Sequence, residues 1–229
     1  MRNVAVILAG GTGSRMGSAL PKQLIEVGGR PILSYSAEAF DSCPEISELI
    51  VVMVPGHTAA ATELAGPYRK IQKIIEGGAT RTESTVRALE ALAAEPDDSR
   101  VLFHDAARPF VDHEIIRRCL AALAEHEAVA VGLPVTDTIV EVSAGLVTAM
   151  PTRSGLWRFQ TPQGFRLGTI RRAYEKALAD PEFTATDDCG VVHRYLPDVS
   201  IPVVEGSERN LKVTHPLDIT IAETLCEDL

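Results

Sequence analysis

Apolar residues in this chain come in short uninterrupted runs: Val4–Leu8, Leu49–Val54, Ile71–Ile75, Val101–His104, Ala128–Leu133 and, late, Val199–Val204. Runs of this length that do not alternate with polar residues predict strands covered on both faces. Between them lie amphipathic stretches with helical spacing: Ile32–Phe40, Ala59–Ala65, Glu83–Ala94, Glu114–His126 and Leu167–Ala179. A last helix is expected over Pro216–Glu227, with Thr214 or His215 at its cap and Pro216 in its first turn. Strand and helix in alternation predict βαβ units and an α/β fold: a mostly parallel sheet between two helical layers.

One segment breaks the rhythm. In Asp137–Met150 two β-prone runs flank Ser143-Ala144-Gly145, a hairpin signal. It predicts an arm over about residues 136–152 that projects from the body, and an exposed apolar edge needs a cover, for which a second copy of the chain is the natural candidate. With no internal repeat, low-complexity tract or linker in the pattern, residues 1–229 read as one domain plus that arm.

Composition narrows the class. Aromatic residues are only 5% of the 229, so the core rests on Val, Ile, Leu and Ala. The formal net charge of −9 argues against a nucleic-acid partner, which calls for a basic footprint. The four cysteines, Cys43, Cys119, Cys189 and Cys226, are scattered without a C-x-x-C pair, which reads as reduced thiols in a cytoplasmic protein. The N-terminal apolar run is too short for a membrane span and lacks a signal-peptide layout; neither membrane attachment nor plastid targeting is indicated.

The chemistry begins after the first run, at Leu8-Ala9-Gly10-Gly11-Thr12-Gly13-Ser14-Arg15-Met16-Gly17. Glycines there let the backbone approach a ligand and offer N–H groups to phosphate oxygens. The spacing is G-x-G-x-x-x-G rather than the dinucleotide fingerprint. The second strand ends in Val54-Pro55-Gly56 with no acid for a ribose, so a dinucleotide-dependent oxidoreductase is disfavoured. Nor does Gly-Lys-Ser/Thr follow, which removes the P-loop. The loop instead carries Arg15, and Pro21-Lys22-Gln23 comes soon after, so an Arg and a Lys can bracket a polyphosphate. A tight turn with two solvated basic residues is the plainer alternative.

L-A-G-G-x-G-x-R-M followed by P-K-Q resembles the nucleotidyltransferase superfamily that activates sugars with nucleoside triphosphates. More narrowly, the chain is similar to the 2-C-methyl-D-erythritol 4-phosphate cytidylyltransferase family. Further matching segments are Gly77–Ser84, His104–Pro109, Arg153–Trp157, Thr161–Gln163, Thr186–Asp188 and Asn210–Thr214, in order over nearly the whole length. The resemblance implies a nucleotidyltransferase-like, Rossmann-like α/β/α sheet. It implies transfer of CMP from CTP to a small polyol phosphate with release of pyrophosphate, in isoprenoid precursor synthesis, aided by Mg²⁺ or another divalent cation. It further implies a homodimer whose arm brings Arg153 and Thr186 toward the partner's site.

Residue by residue, the resemblance assigns charge stabilisation to Arg15 and Lys22, and the grip on the substrate phosphate to Arg153 and Lys212. Ala9, Gly10, Gly11, Gly13, Gly78, Ser84, Ala106, Arg108, Thr138, Thr161 and Thr186 are assigned to nucleotide and substrate binding. Asp105, just past an apolar strand, sits where a carboxylate can hold a divalent ion that bridges phosphates. A helix N-cap, or an ion pair with Arg108, is the alternative for Asp105, and a loop brace beside Pro109 for Arg108. Ser84 also reads as a first-turn helix residue, Trp157 as a packing anchor, and Asp187-Asp188 as caps. Where some relatives carry an acidic residue this chain has Ala79. A sister family acting on ribitol 5-phosphate shares the first loop, and a non-catalytic nucleotide-binding protein could keep the fold, though Arg15, Lys22 and Asp105 are all present.

Overall fold

The computed structural model describes residues 2–11 and 21–227. In chain order the strands are β1 (Asn3–Ala9), β2 (Glu26–Val27), β3 (Arg30–Pro31), β4 (Glu48–Met53), β5 (Ile71–Glu76), β6 (Arg100–Asp105), β7 (Ala128–Pro134), β8 (Glu141–Ser143), β9 (Leu146–Ala149), β10 (Trp157–Arg166) and β11 (Val203–Glu205). The helices are α1 (Ile32–Ser42), α2 (Thr58–Ala65), α3 (Arg81–Ala91), α4 (His113–Glu125), α5 (Leu167–Leu178), α6 (Asp188–Tyr195) and α7 (Pro216–Cys226).

Seven strands form the central sheet in the order β11-β7-β10-β6-β1-β4-β5. Every pairing is parallel except the two made by β10. The continuous apolar runs have a simple cause. In β1, Val4, Val6 and Leu8 face a cluster with Ala88, Leu89, Ile170, Ala173 and Val191 of α3, α5 and α6. Ala5, Ile7 and Ala9 face the opposite cluster with Leu33, Phe40, Ala61, Ile115 and Ile116 of α1, α2 and α4. Successive strand side chains point to opposite faces, and helices cover both, so both phases must be apolar.

Two expectations need correction. The late strand covers only Val203–Glu205, because Pro202 has no N–H to give to a ladder and the chain before it turns, with Val199 N–H bonded to Leu196 O. The central antiparallel strand β10 was not expected, since its sequence, Trp-Arg-Phe-Gln-Thr-Pro-Gln-Gly-Phe-Arg, carries polar residues where the core should be. Gln160, Thr161 and Gln163 are all buried, and each is used as a clamp. Gln160 donates to Ser207 O, Thr161 Oγ1 accepts from Asp105 N–H, and Gln163 Oε1 accepts from the N–H groups of Asp188 and Cys189 at the start of α6.

Strands β8 and β9 form the expected hairpin, separate from the main sheet. Val142, Leu146, Val147 and Met150 on it are exposed, as are Trp157 and Phe159 at its base, so Trp157 is no packing anchor within this chain. At the C-terminus His215 caps α7 in a capping box with Asp218, and Pro216 follows.

Candidate active site

Strand register sets the site. Leu8 stands opposite Asp105 across β1 and β6, Ala9 opposite Met53 across β1 and β4, and Met53 opposite Glu76 across β4 and β5. The carboxyl ends of four parallel strands therefore finish level. From β1 the chain moves first to β4 and β5 on one side and later to β6 on the other, so a crevice opens between β1 and β6 where the direction of winding reverses. A cavity of about 300 Å³ occupies that crevice, lined by Gly10 and Gly11 after β1, Lys22, the turn Ala79-Thr80-Arg81 with Ser84, Asp105 and Lys212 among others.

The glycines at the strand ends answer a steric demand. Ser84 in the first turn of α3 sits between the end of β1 and the end of β5. A Cβ on Gly10 would lie 2.7 Å from Ser84 Oγ, and one on Gly77 would lie 2.6 Å from it. Ser84 Oγ donates to Thr80 O and accepts from Gly78 N–H, so its hydroxyl already ties the turn together and has one lone pair left for a ligand. The first-turn reading and the ligand-contact reading of Ser84 thus share one geometry. Gln23 performs a similar task at the loop's mouth. Buried at 1% exposure, it donates from Nε2 to both Ala9 O and Gly11 O, which turns those carbonyls toward itself.

Four charged side chains run through the site in alternating sign. Asp188, fully buried, accepts on Oδ1 from Thr85 Oγ1 (3.0 Å) and Tyr174 Oη (2.6 Å). Its Oδ2 lies 2.9 Å from Arg81 Nη2. Arg81 Nε donates to Asp105 Oδ1 (3.2 Å), and Lys212 Nζ donates to Asp105 Oδ2 (2.7 Å). Burial alone would raise the Asp105 pKa, but Arg81 and Lys212 outweigh it and hold the carboxyl well below its ordinary range. Burial alone would lower the Arg81 pKa, yet the charges of Asp188 and Asp105 hold its guanidinium more firmly protonated than usual. Next to Asp105, His104 is pushed down to about 4 by burial, so it is a neutral ring. It packs edge-on to Phe40 and hydrogen-bonds Arg108 O, as a structural strand-end residue.

Of the residues named from sequence, Gly10, Gly11, Lys22, Ser84, Asp105 and Lys212 meet in this one cavity, and Ala9 and Gly78 adjoin it. Asp105 pairs with Arg81 and Lys212, not with Arg108. Arg108 is a brace: it donates to Asn210 O and Phe159 O, and so anchors the segment that delivers Lys212. Thr161 and Ala106 are buried behind the cavity wall. Arg153, Thr138 and Thr186 are exposed and do not line it; the Arg153 guanidinium donates to Thr136 O within the arm. Arg15 and Gly13 lie outside the described residues. Asp187 is the cap expected, accepting from Gly190 N–H, whereas Asp188 is no cap but a buried ion.

Arg81, Asp188 and Gln23 do not stand out along the sequence as site residues. Arg81 and Gln23 stood inside quoted motifs, but nothing in their spacing told a site residue from a surface one. The signal for Asp188 was weaker still, since its partners Thr85, Tyr174 and Arg81 are far off in sequence.

A divalent cation was also expected. Among the described residues no three His, Cys, Asp or Glu side chains gather to hold one. Asp105 at the cavity is a single carboxylate whose two oxygens each already meet one cation, Arg81 or Lys212, so only their remaining lone pairs could reach a Mg²⁺ ion carried mainly by substrate phosphates and water. The donor set fits that mode and no all-protein cage.

Residues 3–228 match the family model described as 2-C-methyl-D-erythritol 4-phosphate cytidylyltransferase. The chain is 49% identical to the protein of that name from Thermobifida fusca, over 98% of this chain and 93% of that one. It is also 37% identical to a bifunctional ribulose 5-phosphate reductase/CDP-ribitol pyrophosphorylase from Haemophilus influenzae, over 98% of this chain and 48% of that one. Among solved structures, the 4-diphosphocytidyl-2C-methyl-D-erythritol synthase from Anaerococcus prevotii superposes with a TM-score of 0.87 at 30% identity, covering 99% of this chain and 98% of that chain. With strand-end cavity, full-length family match and close fold agreement together, this chain belongs to the 2-C-methyl-D-erythritol 4-phosphate cytidylyltransferase family.

Proposed function

We propose that this chain transfers CMP from CTP to 2-C-methyl-D-erythritol 4-phosphate, giving 4-diphosphocytidyl-2-C-methyl-D-erythritol and pyrophosphate. The observation that carries the reading is the convergence of Lys22, the Gly10-Gly11 backbone, Ser84, Asp105 and Lys212 on one cavity at the switch point of the sheet. An acceptor phosphate oxygen attacks the α-phosphorus, the new O–P bond forms, and the bond to the bridging oxygen of the leaving pyrophosphate breaks. Such a transfer needs alignment and neutralisation of charge more than acid–base chemistry.

Each residue has a matching part. Lys22, with Arg15, meets the charge of the transferring and departing phosphates, and Gly10 and Gly11 bring the backbone close to them. The Gly77-Gly78 turn and Ser84 cradle the base. Lys212 takes the acceptor phosphate. Mg²⁺ or another divalent cation, held through Asp105 and the nucleotide, adds charge neutralisation.

The reading treats residues 1–229 as one cytidylyltransferase domain in a cytoplasmic homodimer. The exposed apolar arm packs on the partner, and Arg153, Thr138 and Thr186 serve the neighbouring site. Support comes from Val142, Leu146, Val147 and Met150, all exposed in the isolated chain, and from those three polar residues being exposed and not lining its own cavity. A second acceptor, ribitol 5-phosphate, is favoured by the Haemophilus influenzae relative. A pyrophosphate-release assay with CTP and each polyol phosphate separates the two. Preference for methylerythritol phosphate is expected; preference for ribitol phosphate replaces the acceptor, and release with neither refutes catalysis.

A further inference from the structure

Arg81 stands at the centre of the ion chain, yet the transfer chemistry above gives it no part. Its side chain is held from behind and aims forward. Behind it, Asp188 is fully buried and locked by Thr85 and Tyr174, so its carboxylate is a fixed anchor rather than a swinging one. In front, Arg81 Nε takes one oxygen of Asp105, which leaves the other oxygen to Lys212 at 2.7 Å. Asp105 donates its own N–H to Thr161 Oγ1, which helps hold its main chain, and its side-chain torsions are set by the groups on its carboxylate. A carboxylate has two oxygens and a broad χ2; a planar guanidinium on one of them decides which way the other points.

We propose that Arg81 is a positioning residue for the transfer: anchored by Asp188, it sets the rotamer of the Asp105 carboxylate and thereby the place of the Lys212 ammonium in the cavity. The assignment rests on the cytidylyltransferase reading for its kinetic test and on the fold alone for its structural one. It differs from a direct role because Arg81 acts through Asp105. It differs from a purely architectural role because its effect must vanish once Asp105 no longer carries a carboxylate. Lysine at position 81 keeps the charge but cannot present a fork to two carboxylates at once.

The decisive experiment is a double-mutant cycle on kcat/KM with CTP and methylerythritol phosphate. Arg81→Met is expected to lower kcat/KM by about 10- to 100-fold, the size typical for residues that orient a ligating side chain. Arg81→Lys is expected to recover only part of that loss. Added to Asp105→Asn, Arg81→Met is expected to cost less than about 3-fold more, because the group it orients is gone. An undiminished loss in the Asp105→Asn background overturns the proposal, as does near-normal kcat/KM in Arg81→Met. Loss of the buried charge could unfold the single variant, so Arg81→Met/Asp188→Asn removes the charges as a pair. Its crystal structure is expected to show the Asp105 carboxylate rotated off Lys212; a retained contact overturns the proposal whatever the activity. A wild-type protein that releases no pyrophosphate refutes the cytidylyltransferase reading instead, and leaves that structural test standing.

Discussion

Replacing Asp188 by Asn deletes one charge from the most deeply buried point of the site while keeping shape and most hydrogen bonds. The amide oxygen can still accept from Thr85 and Tyr174, but an amide NH₂ or a neutral oxygen then faces the Arg81 guanidinium, whose nearest nitrogen is 2.9 Å away. Breaking a buried ion pair by removing one partner costs about 3–5 kcal/mol. Arg81 is 25% exposed on its side chain and keeps Asp105 as a second partner, so the lower end applies, about 3 kcal/mol. For a chain of this size, each kcal/mol moves Tm by about 2–4 °C, which gives a fall of roughly 6–12 °C. Thermal unfolding followed by circular dichroism measures it, and the Arg81→Met/Asp188→Asn pair, free of stranded charge, is expected to recover more than half of the loss. A fall below about 2 °C for Asp188→Asn, or no recovery in the pair, refutes the picture of a buried, charge-balanced chain.

Other outcomes can be checked more simply. Lys22→Ala and Lys212→Ala are expected to lower kcat by about 100-fold or more, as for loss of a preorganised charge contact; near-normal turnover in either removes that residue from the chemistry. Gln23→Leu frees the carbonyls of Ala9 and Gly11, so KM for CTP is expected to rise several-fold in steady-state assays. Cys119, buried and pushed up to about 12 by burial, and Cys189, raised well above its ordinary value by the same cause, stay protonated at pH 8. Both are expected to resist a thiol reagent at that pH until denaturant is added, and rapid labelling of either in the native protein contradicts their placement. If the chain dimerises through its arm as proposed, wild-type protein sediments as a dimer and Leu146→Asp, on the exposed arm, as a monomer of lower activity in analytical ultracentrifugation; a wild-type monomer refutes the dimer, and a variant dimer of unchanged stability moves the interface elsewhere.

Much of this molecule was legible along the chain, and the reason is local. Strands covered on both faces need both phases apolar, so β1, β4, β6 and β7 declared themselves as continuous runs. Glycines at strand ends pointed to a close approach of backbone, and Gly10 and Gly11 do line the strand-end cavity with Lys22. The hairpin arm was visible because Ser143-Ala144-Gly145 stands between two β-prone runs, and the structure has Ala144 and Gly145 at positive φ in that turn. What stayed hidden depends on neighbours distant in sequence. Strand β10 looks polar because Gln160, Thr161 and Gln163 are buried against partners 24 to 57 residues away, which no window along the chain contains. Asp105 read as a lone carboxylate, and only the meeting of β6, α3 and the segment before α7 set Arg81 and Lys212 on its two oxygens. Asp188 read as a cap, and became a buried anchor once α5 and α3 closed over it. Propensity and periodicity follow from each residue's own backbone and its turn. Charge pairing in a buried site follows from the three-dimensional path that brings opposite signs together.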